Sequence, residues 1–364
     1  MKKIMVYAYT KLNFGDDLFI KVLCDRYQNT KFIIYSNKEY KNAYKNIGNL
    51  KYYSRDSIIT RSMDYISRKV NLNWDIEDRL LNSCDAIVNI GGSMFIEWDG
   101  WESQFNKIIK KRFKNNKPFY LLGCNFGPYR SLEYFNSYKK LFSKYTDICF
   151  REDYSYKLFS DLNNVRRADD IIFQLNKKQH VDIRNEVIVS VIKPSFRKDL
   201  ERYDEIYYEK IKDISIYFIE RGINVKLMSF CKYEGDEEAI SKIIDMIPSK
   251  YITNISKYFY RGNVDEALKM IEESKYIIAT RFHSMILGWV FDKPVLPIVY
   301  SKKMINVIED IKFKGEYIEL KNIEGLDVEK IFKNIQYSKI DITKQIESSK
   351  LHFKKLDKYL NYNQ

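Results

Sequence analysis

The sequence has few of the residues from which stapled, metal-bound or membrane-spanning proteins are built. It contains five cysteines, six prolines and three histidines among 364 residues. The cysteines are odd in number and widely spaced, so we expect free thiols in a reducing cytoplasm and no disulfide framework. No uninterrupted apolar run approaches the ~20 residues of a membrane-spanning helix. We expect the apolar start, Ile4–Tyr9, to be a first strand rather than a secretory signal, because it stops at polar Lys11.

The charge balance is basic, with 62 Lys and Arg against 49 Asp and Glu and a formal net charge of +13. The cations are spread along the chain, with local concentrations at 107–117 and 330–358, and no nucleic-acid-binding motif accompanies them. We therefore predict no nucleic-acid partner. The basic tail fits peripheral contact with an anionic membrane at its cytoplasmic face, and a solvated basic face is the alternative.

Apolar strand-like runs alternate with helix-period segments along the chain, which is typical of βαβ units. The predicted strands of the first half are Ile4–Tyr9, Phe32–Tyr35, Ala86–Ile90, Phe119–Leu122 and Ile148–Phe150. Those of the second half are Val187–Val191, Val225–Ser229, Tyr276–Ala279 and Val295–Val299. The polar segment Asn163–Asn185, which contains Lys178 and Gln179, is the predicted linker.

This rhythm predicts an α/β fold with two Rossmann-like domains. We expect an N-terminal domain over residues 1–175, a C-terminal domain over 176–325, and a basic helical segment over 326–364 that packs back on the first domain.

The stretch Tyr276–Phe291 predicts a strand, a tight turn and a helix, with Arg281 and His283 at the turn. Open parallel sheets bind ligands at the carboxyl ends of their strands, and a helix start offers N–H groups to an anion. An arginine beside a titratable imidazole would combine a fixed charge with a mobile proton. The alternative is a packed corner in which Arg281 is in an ion pair and His283 is satisfied.

The next predicted strand ends at Tyr300, and Lys303 follows at the start of a helix. In a parallel sheet both residues would emerge beside Arg281 and His283, and such an edge suits a doubly anionic small molecule. His180 and His352 have no comparable setting, and we expect both on the surface.

Strand-to-loop junctions of the first half carry further candidates. In the first loop, Gly15 permits a tight turn, and Asp16 or Asp17 could cap a helix that starts near Leu18; alternatively, Asn13 and Asp16 bind sugar hydroxyls. Later junctions hold Gly91, Gly92 and Ser93, then Gly127 before Pro128, and then Arg151 beside two acids. Simple turn chemistry and an ion pair are the alternatives there. Asp169 and Asp170 lack a further ligand at metal spacing, so we predict no metal.

Taken in order, these motifs resemble the polysaccharide pyruvyl transferase family. The resemblance rests on Asn13-Phe-Gly15-Asp16, Gly91-Gly92-Ser93, Gly123…Gly127-Pro128, Arg151-Glu-Asp-Tyr-Ser155, Asp170-Ile-Ile-Phe173, Arg281-Phe-His283-Ser284 and Tyr300-Ser-Lys-Lys303. It implies a fold like that of B-type glycosyltransferases, with the two domains facing across a cleft. It also implies transfer of pyruvate from phosphoenolpyruvate to two hydroxyls of a sugar in a surface polysaccharide or its lipid-linked precursor.

The resemblance also implies residue roles. His283 and Arg281 would be catalytic, and Arg281, Lys303, Arg151, Tyr300 and Ser284 would bind phosphoenolpyruvate. Acceptor binding would fall to Asn13, Gly15, Asp16, Gly91, Gly92, Ser93 and Gly127. No metal or organic cofactor is needed.

Two positions depart from the family pattern. Ser93 stands where a third glycine is usual, and Asn125-Phe126 precedes Gly127 where a small polar pair is commoner. Both departures concern the acceptor side. A nucleotide-sugar-dependent glycosyltransferase and a non-catalytic glycan-binding module remain the alternative functions, since fold does not fix function.

Overall fold

The computed structural model describes residues 1–70, 75–113, 116–177 and 180–362. Lys114 of the basic stretch and Lys178 and Gln179 of the predicted linker lie outside the described residues. The chain divides into two compact units. Unit 1 comprises Met1–Thr10, Asp16–Gln174 and Ile346–Gln364, and unit 2 comprises Lys11–Gly15 and Leu175–Gln345.

Unit 1 is built on a parallel sheet flanked by helices. Its strands are β1 (Lys3–Tyr7), β2 (Lys31–Ser36), β3 (Leu50–Ser54), β4 (Ala86–Ile90), β5 (Phe119–Cys124), β6 (Asp147–Phe150) and β7 (Val165–Arg167). They lie in the order β3-β2-β1-β4-β5-β6-β7. The helices are α1 (Phe14–Arg26), α2 (Ile58–Lys69), α3 (Ile76–Asn82), α4 (Trp101–Arg112), α5 (Leu132–Phe142) and α6 (Asp153–Leu158).

Unit 2 repeats the plan with a second parallel sheet. Its strands are β8 (Glu186–Val191), β9 (Asn224–Ser229), β10 (Ile255–Phe259), β11 (Tyr276–Ala279), β12 (Val295–Val299) and β13 (Ile318–Glu319). They lie in the order β10-β9-β8-β11-β12-β13. The helices are α7 (Asp204–Ile219), α8 (Asp236–Asp245), α9 (Val264–Glu273), α10 (Phe282–Val290), α11 (Lys302–Asp310) and α12 (Val328–Ile335). After these come α13 (Thr343–Lys350) and α14 (Lys354–Leu360).

Central strands are apolar on both faces because helices cover both sides of a parallel sheet. Every residue of β4, β5 and β12 is buried, for example. This double burial is why their runs are visible in the sequence. The prediction of two parallel-sheet α/β domains is confirmed, and all five cysteines are buried free thiols.

The strands that the sequence did not predict are β3, β7, β10 and β13, and each lies at the edge of its sheet. Edge strands are half exposed and carry polar residues, so their hydrophobic pattern is weak. Strand β7 falls inside the predicted linker, so the start of that segment belongs to the sheet of unit 1.

The unit boundaries differ from the predicted domains in two places. The loop Lys11–Gly15 belongs to unit 2, and the predicted C-terminal segment is shared, with α12 in unit 2 and the chain from Ile346 in unit 1. The prediction that His352 is a surface residue was wrong. His352 is fully buried, and its Nε2 lies 2.8 Å from the carbonyl oxygen of Asp169.

No helix of the described residues is both long and apolar enough to cross a membrane.

Candidate functional site

The corner between β11 and α10 carries Arg281 and His283, as the sequence predicts. The Ser190 hydroxyl on the neighbouring strand β8 fixes this corner, because its Oγ accepts the N–H groups of Thr280 and Arg281, both at 3.1 Å. Arg281 is the residue before α10 and has an extended backbone. His283 therefore projects from the first turn of the helix, at the carboxyl end of a central strand.

Arg281 is held in a buried network of carboxylates. Its two terminal nitrogens bind Glu234 and Asp236, and its side chain is only 6% exposed. Asp236 also accepts the backbone N–H groups of Phe230 and Cys231, each at 2.9 Å. Burial opposes the charge on Arg281, but the two carboxylates hold its pKa well above its usual value. The ion-paired alternative for Arg281 thus describes this structure, and its guanidinium orders the chain from Phe230 to Asp236.

Glu234 joins Arg281 to a second arginine that the sequence did not single out. Arg197 donates from Nη2 to Glu234 Oε2 at 2.6 Å, and its guanidinium lies 4.5 Å from the centre of the Tyr300 ring. Burial disfavours the ionised carboxylate, but Arg281, Arg197 and Lys303 outweigh it and lower the pKa of Glu234 to about 2. The clue that could have found Arg197 is its place in the loop after β8, at the carboxyl end of the central strand.

Lys303 joins Arg281 and Arg197 in a cationic cluster of unit 2, and Tyr300 lies beside these cations. Tyr300 directly follows β12, which pairs in parallel with β11, and Lys303 lies in the first turn of α11. Lys303 Nζ is 5.2 Å from the centre of the Phe282 ring. Burial raises the pKa of the Tyr300 phenol, yet Arg197, Lys303 and Arg281 together bring it below its usual value. A net positive potential therefore acts on Tyr300.

Ser284 follows His283 in the first turn of α10. It is fully buried, and its Oγ has no hydrogen-bond partner among the described residues. A buried hydroxyl without a partner is costly, so such groups often meet a ligand or a water.

The loop Lys11–Gly15 brings two predicted acceptor residues to the same unit as His283. Phe14 donates its N–H to the carbonyl of Phe230 at 2.9 Å, and Asn13 Nδ2 lies 3.4 Å from Glu234 Oε1. Gly15 passes so close to His283 that an added Cβ would overlap the imidazole ring. The loop and the histidine therefore pack directly against each other.

The start of α1 differs from the prediction that Asp16 or Asp17 caps the helix. The helix begins at Phe14 rather than near Leu18, and Asn13 Oδ1 accepts the Gly15 N–H at 3.1 Å. Asp16 and Asp17 instead lie inside the first turn, where a carboxylate is favoured by the helix dipole. Both side chains are buried.

In unit 1, Arg151 is the centre of a second buried polar group. It donates from Nη1 to Asp170 Oδ2 at 3.0 Å and from Nη2 to Asn125 Oδ1 at 2.7 Å, and Ser93 Oγ donates to the same amide oxygen at 3.0 Å. Gly92 lies against the guanidinium, since an added Cβ would be 2.8 Å from both terminal nitrogens. The glycine there is explained by close approach to Arg151.

Asp16, Gly91 and Gly127 also belong to unit 1. An added Cβ at Gly91 would lie 3.8 Å from Asp16 Oδ1, so this aspartate borders the glycine pair. Gly91 and Gly127 have positive φ values of 148° and 99°, which other residues rarely adopt.

No group of three or more His, Cys, Asp or Glu side chains in the described ranges has the arrangement of a metal site.

Comparison with known proteins shows one family and one fold. The model of the family described as polysaccharide pyruvyl transferase matches residues 13–302. The amylovoran biosynthesis protein AmsJ of Erwinia amylovora is 22% identical over 257 residues, which cover 64% of this chain and 60% of AmsJ. The match thus spans less than two thirds of that relative.

Among solved structures, S. aureus MnaA with UDP superposes with a TM-score of 0.59 at 12% identity, covering 100% of this chain and 98% of that chain. The UDP-GlcNAc 2-epimerase of Methanocaldococcus jannaschii gives a TM-score of 0.59 at 11% identity, with 99% of each chain covered. At such identities the likeness concerns the fold, which is of the glycosyltransferase B type.

Proposed function

The chain belongs to the polysaccharide pyruvyl transferase family, and we propose that it moves pyruvate from phosphoenolpyruvate to two hydroxyls of one sugar, forming a ketal and releasing phosphate. The acceptor is a sugar of a surface polysaccharide or of its lipid-linked precursor. The observation that carries this proposal is the position of His283 in the first turn of α10, beside a cluster of cations that depresses the pKa of Tyr300.

The cluster has the charge that phosphoenolpyruvate requires. The substrate carries a carboxylate and a phosphate, and Arg197, Arg281 and Lys303 face the carboxylates of Glu234 and Asp236. The cations exceed the carboxylates in this group, so an incoming anion is attracted. Fixed cations around a departing phosphate are a preorganised form of transition-state stabilisation, and losing one can cost about 10²–10³ in rate.

Each predicted donor residue then takes a specific part. Lys303 and Tyr300 contact the anion, and the Ser284 hydroxyl, which has no partner among the described residues, donates to one of its oxygens. Arg281 contributes charge from its fixed position and orders Glu234. Arg151 belongs to unit 1, where its guanidinium donates to Asp170 and Asn125, and its part in donor binding is proposed from the family resemblance.

The reaction needs one mobile proton. Protonated His283 gives its proton to the methylene carbon of phosphoenolpyruvate while a sugar hydroxyl attacks C2, and the imidazole then accepts the proton of that hydroxyl. The C2–O bond to phosphate breaks, and the second hydroxyl attacks C2 to close the ketal ring. Its proton leaves with the phosphate. Carbon C3 thus becomes a methyl group, and no electron is gained or lost.

The acceptor residues are proposed from their position and chemistry. Asn13 can bind a sugar hydroxyl through its amide, and Gly15, which has no Cβ, lets the loop pack against the His283 imidazole. Asp16, Gly91, Gly92, Ser93 and Gly127 form the remaining acceptor set in unit 1. The reaction calls for phosphoenolpyruvate as co-substrate and for no resident cofactor, and its donor is a cytoplasmic metabolite.

Phosphate release tests this proposal directly. Purified protein with phosphoenolpyruvate should release phosphate only when a suitable glycan from a panel of galactose-, mannose- and glucosamine-type acceptors is present. His283→Gln should abolish release while leaving the thermal unfolding midpoint near that of the wild type. Normal turnover by His283→Gln would remove the histidine from the mechanism.

A nucleotide-sugar glycosyltransferase is the second candidate, favoured by the fold likeness to MnaA, which was solved with UDP. A diphosphate would suit the same cations. The two functions can be distinguished by which ligand stabilises the protein, because a bound ligand raises the unfolding midpoint. Phosphoenolpyruvate should raise it and UDP-sugars should not; the reverse pattern would favour the glycosyltransferase.

A further inference from the structure

Helix α2 of unit 1 has its hydrophobic residues on the outside. Ile58, Ile59, Tyr65 and Ile66 are 83%, 73%, 55% and 58% exposed, and Val70 just beyond the helix is 58% exposed. Soluble proteins commonly expose single apolar residues, but a contiguous group marks an interaction surface. At 100° per residue these side chains fall on one side of the helix. We call this the α2 apolar face.

The opposite side of α2 is polar and is packed against the rest of unit 1. Thr60 and Ser67 are buried, and Thr60 Oγ1 donates to the carbonyl of Ser54 at 2.7 Å. Asp64 Oδ1 accepts the N–H of Ile76 at 3.0 Å. The usual orientation of an amphipathic helix is thus reversed, and the hydrogen bonds of Thr60 and Asp64 anchor α2. The exposed isoleucines of α2 therefore contribute little to the stability of the fold.

Cations lie beside and within the α2 apolar face, because at 100° per residue Arg61 falls next to Tyr65 and Lys69 falls between Ile58 and Ile66. Arg55, Arg61 and Lys69 are all exposed. The nearest carboxylate contact of Arg61 is a long one of 3.9 Å to Asp56, and the Arg61 side chain is 72% exposed. Exposed pairs of this kind contribute little, so these charges are available to a partner.

We propose that the α2 apolar face docks unit 1 onto an anionic lipid surface. An aliphatic helix face with cations beside it is the pattern of helices that lie in the membrane interface, where the apolar side enters the acyl boundary and the cations meet the lipid phosphates. Two of the four apolar side chains within α2 are at the first turn and two at the third, so the whole length of the helix would contact the bilayer.

The predicted membrane contact through the basic tail is less well supported. Four of its lysines are already in ion pairs, Lys330 with Glu316, Lys333 with Glu329, Lys339 with Asp292 and Lys350 with Glu347. These pairs lower the net charge of the tail, whereas Arg61 has only the looser carboxylate contact of 3.9 Å. The α2 surface also groups four exposed apolar side chains on one helix.

Docking goes beyond the proposed function and is tested without turnover. Cosedimentation of the full chain with phosphatidylglycerol–phosphatidylcholine vesicles and with phosphatidylcholine vesicles alone measures it. The double variant Ile59→Ser/Ile66→Ser should lower the vesicle affinity by at least about tenfold, since each buried methylene contributes about 0.8 kcal/mol and 1.4 kcal/mol is tenfold. Arg61→Gln/Lys69→Gln should weaken binding to the anionic vesicles only, and added salt should do the same.

A matched control removes exposed apolar residues elsewhere. Leu132 and Ile183 are 76% and 54% exposed, so Leu132→Ser/Ile183→Ser should bind vesicles like the wild type. Equal binding by the α2 variant and the wild type, or no binding by the wild type, would overturn the proposal. So would a wild-type dimer that Ile59→Ser/Ile66→Ser converts to a monomer without any vesicle binding, because a second copy would then cover the face. Phosphate release on a water-soluble acceptor, measured on the same samples, reports the proposed function independently.

Discussion

Replacing Gly15 by alanine should lower the catalytic rate strongly and the free energy of unfolding only slightly. In α1 the change favours the helix, because alanine exceeds glycine in helix propensity by up to about 1 kcal/mol. The new Cβ, however, would lie closer than 3.0 Å to three atoms of the His283 imidazole, which is closer than real Cβ atoms approach. The ring has to move by roughly 1 Å or more, and a misplacement of about 1 Å can cost about 10²-fold in rate.

We therefore expect Gly15→Ala to lower kcat by about 10²-fold. Overpacking costs about 1–3 kcal/mol, which the helix gain partly offsets, so the free energy of unfolding should fall by no more than about 2 kcal/mol. Phosphate release and urea unfolding measure the two quantities. The control is Gly325→Ala in the same unit, where an added Cβ has nothing within 4 Å and activity should be unchanged.

A Gly15→Ala protein with wild-type kcat and normal stability would contradict the expected displacement of a catalytic imidazole. It would mean either that the imidazole moves aside without consequence or that His283 takes no part in the reaction. The His283→Gln variant distinguishes these two explanations, because it is inactive only in the first.

Three further predictions concern the buried polar groups. Arg197→Lys should raise the KM for phosphoenolpyruvate about tenfold or more, since lysine cannot both bind Glu234 and stack on Tyr300. Glu234→Gln should destabilise the fold by about 3–5 kcal/mol, the usual cost of leaving a buried arginine partly unpaired, as urea unfolding would report. Burial lowers the pKa of His352 to about 3, against about 6.5 in the unfolded chain, so the unfolded state binds an extra proton between these values. The free energy of unfolding should thus fall by about 2 kcal/mol more in the wild type than in His352→Gln between about pH 7 and about pH 5, and equal pH dependence would contradict the burial of a neutral imidazole.

The sequence predicted the central strands well and the edges poorly. Strands such as β4 and β11 are buried on both faces, and their apolar runs matched the structure from end to end. Strand β10 has exposed Ser256 and Lys257 at its centre, so no run marks it. Burial on both faces produces an apolar run that is visible in the sequence, whereas an edge strand forms mainly through pairing with its neighbour.

The candidate site was predictable in position but not in its pairing. Arg281, His283, Tyr300 and Lys303 follow adjacent strands, so parallel topology alone brings them together. The carboxylates that hold Arg281 come after β9, and no local pattern links Glu234 or Asp236 to an arginine far along the chain. The packing of Gly15 on His283 was likewise invisible, because the loop leaves the unit of the strand that precedes it.

The mass of the reaction product distinguishes the proposed pyruvyl transfer from sugar transfer. An isolated acceptor glycan incubated with the protein and phosphoenolpyruvate should become heavier by one pyruvyl ketal, with one phosphate released for each ketal formed and no such product with His283→Gln. A glycan that gains a sugar from a nucleotide sugar, and is unchanged by phosphoenolpyruvate across the acceptor panel, would contradict the proposed pyruvyl transfer.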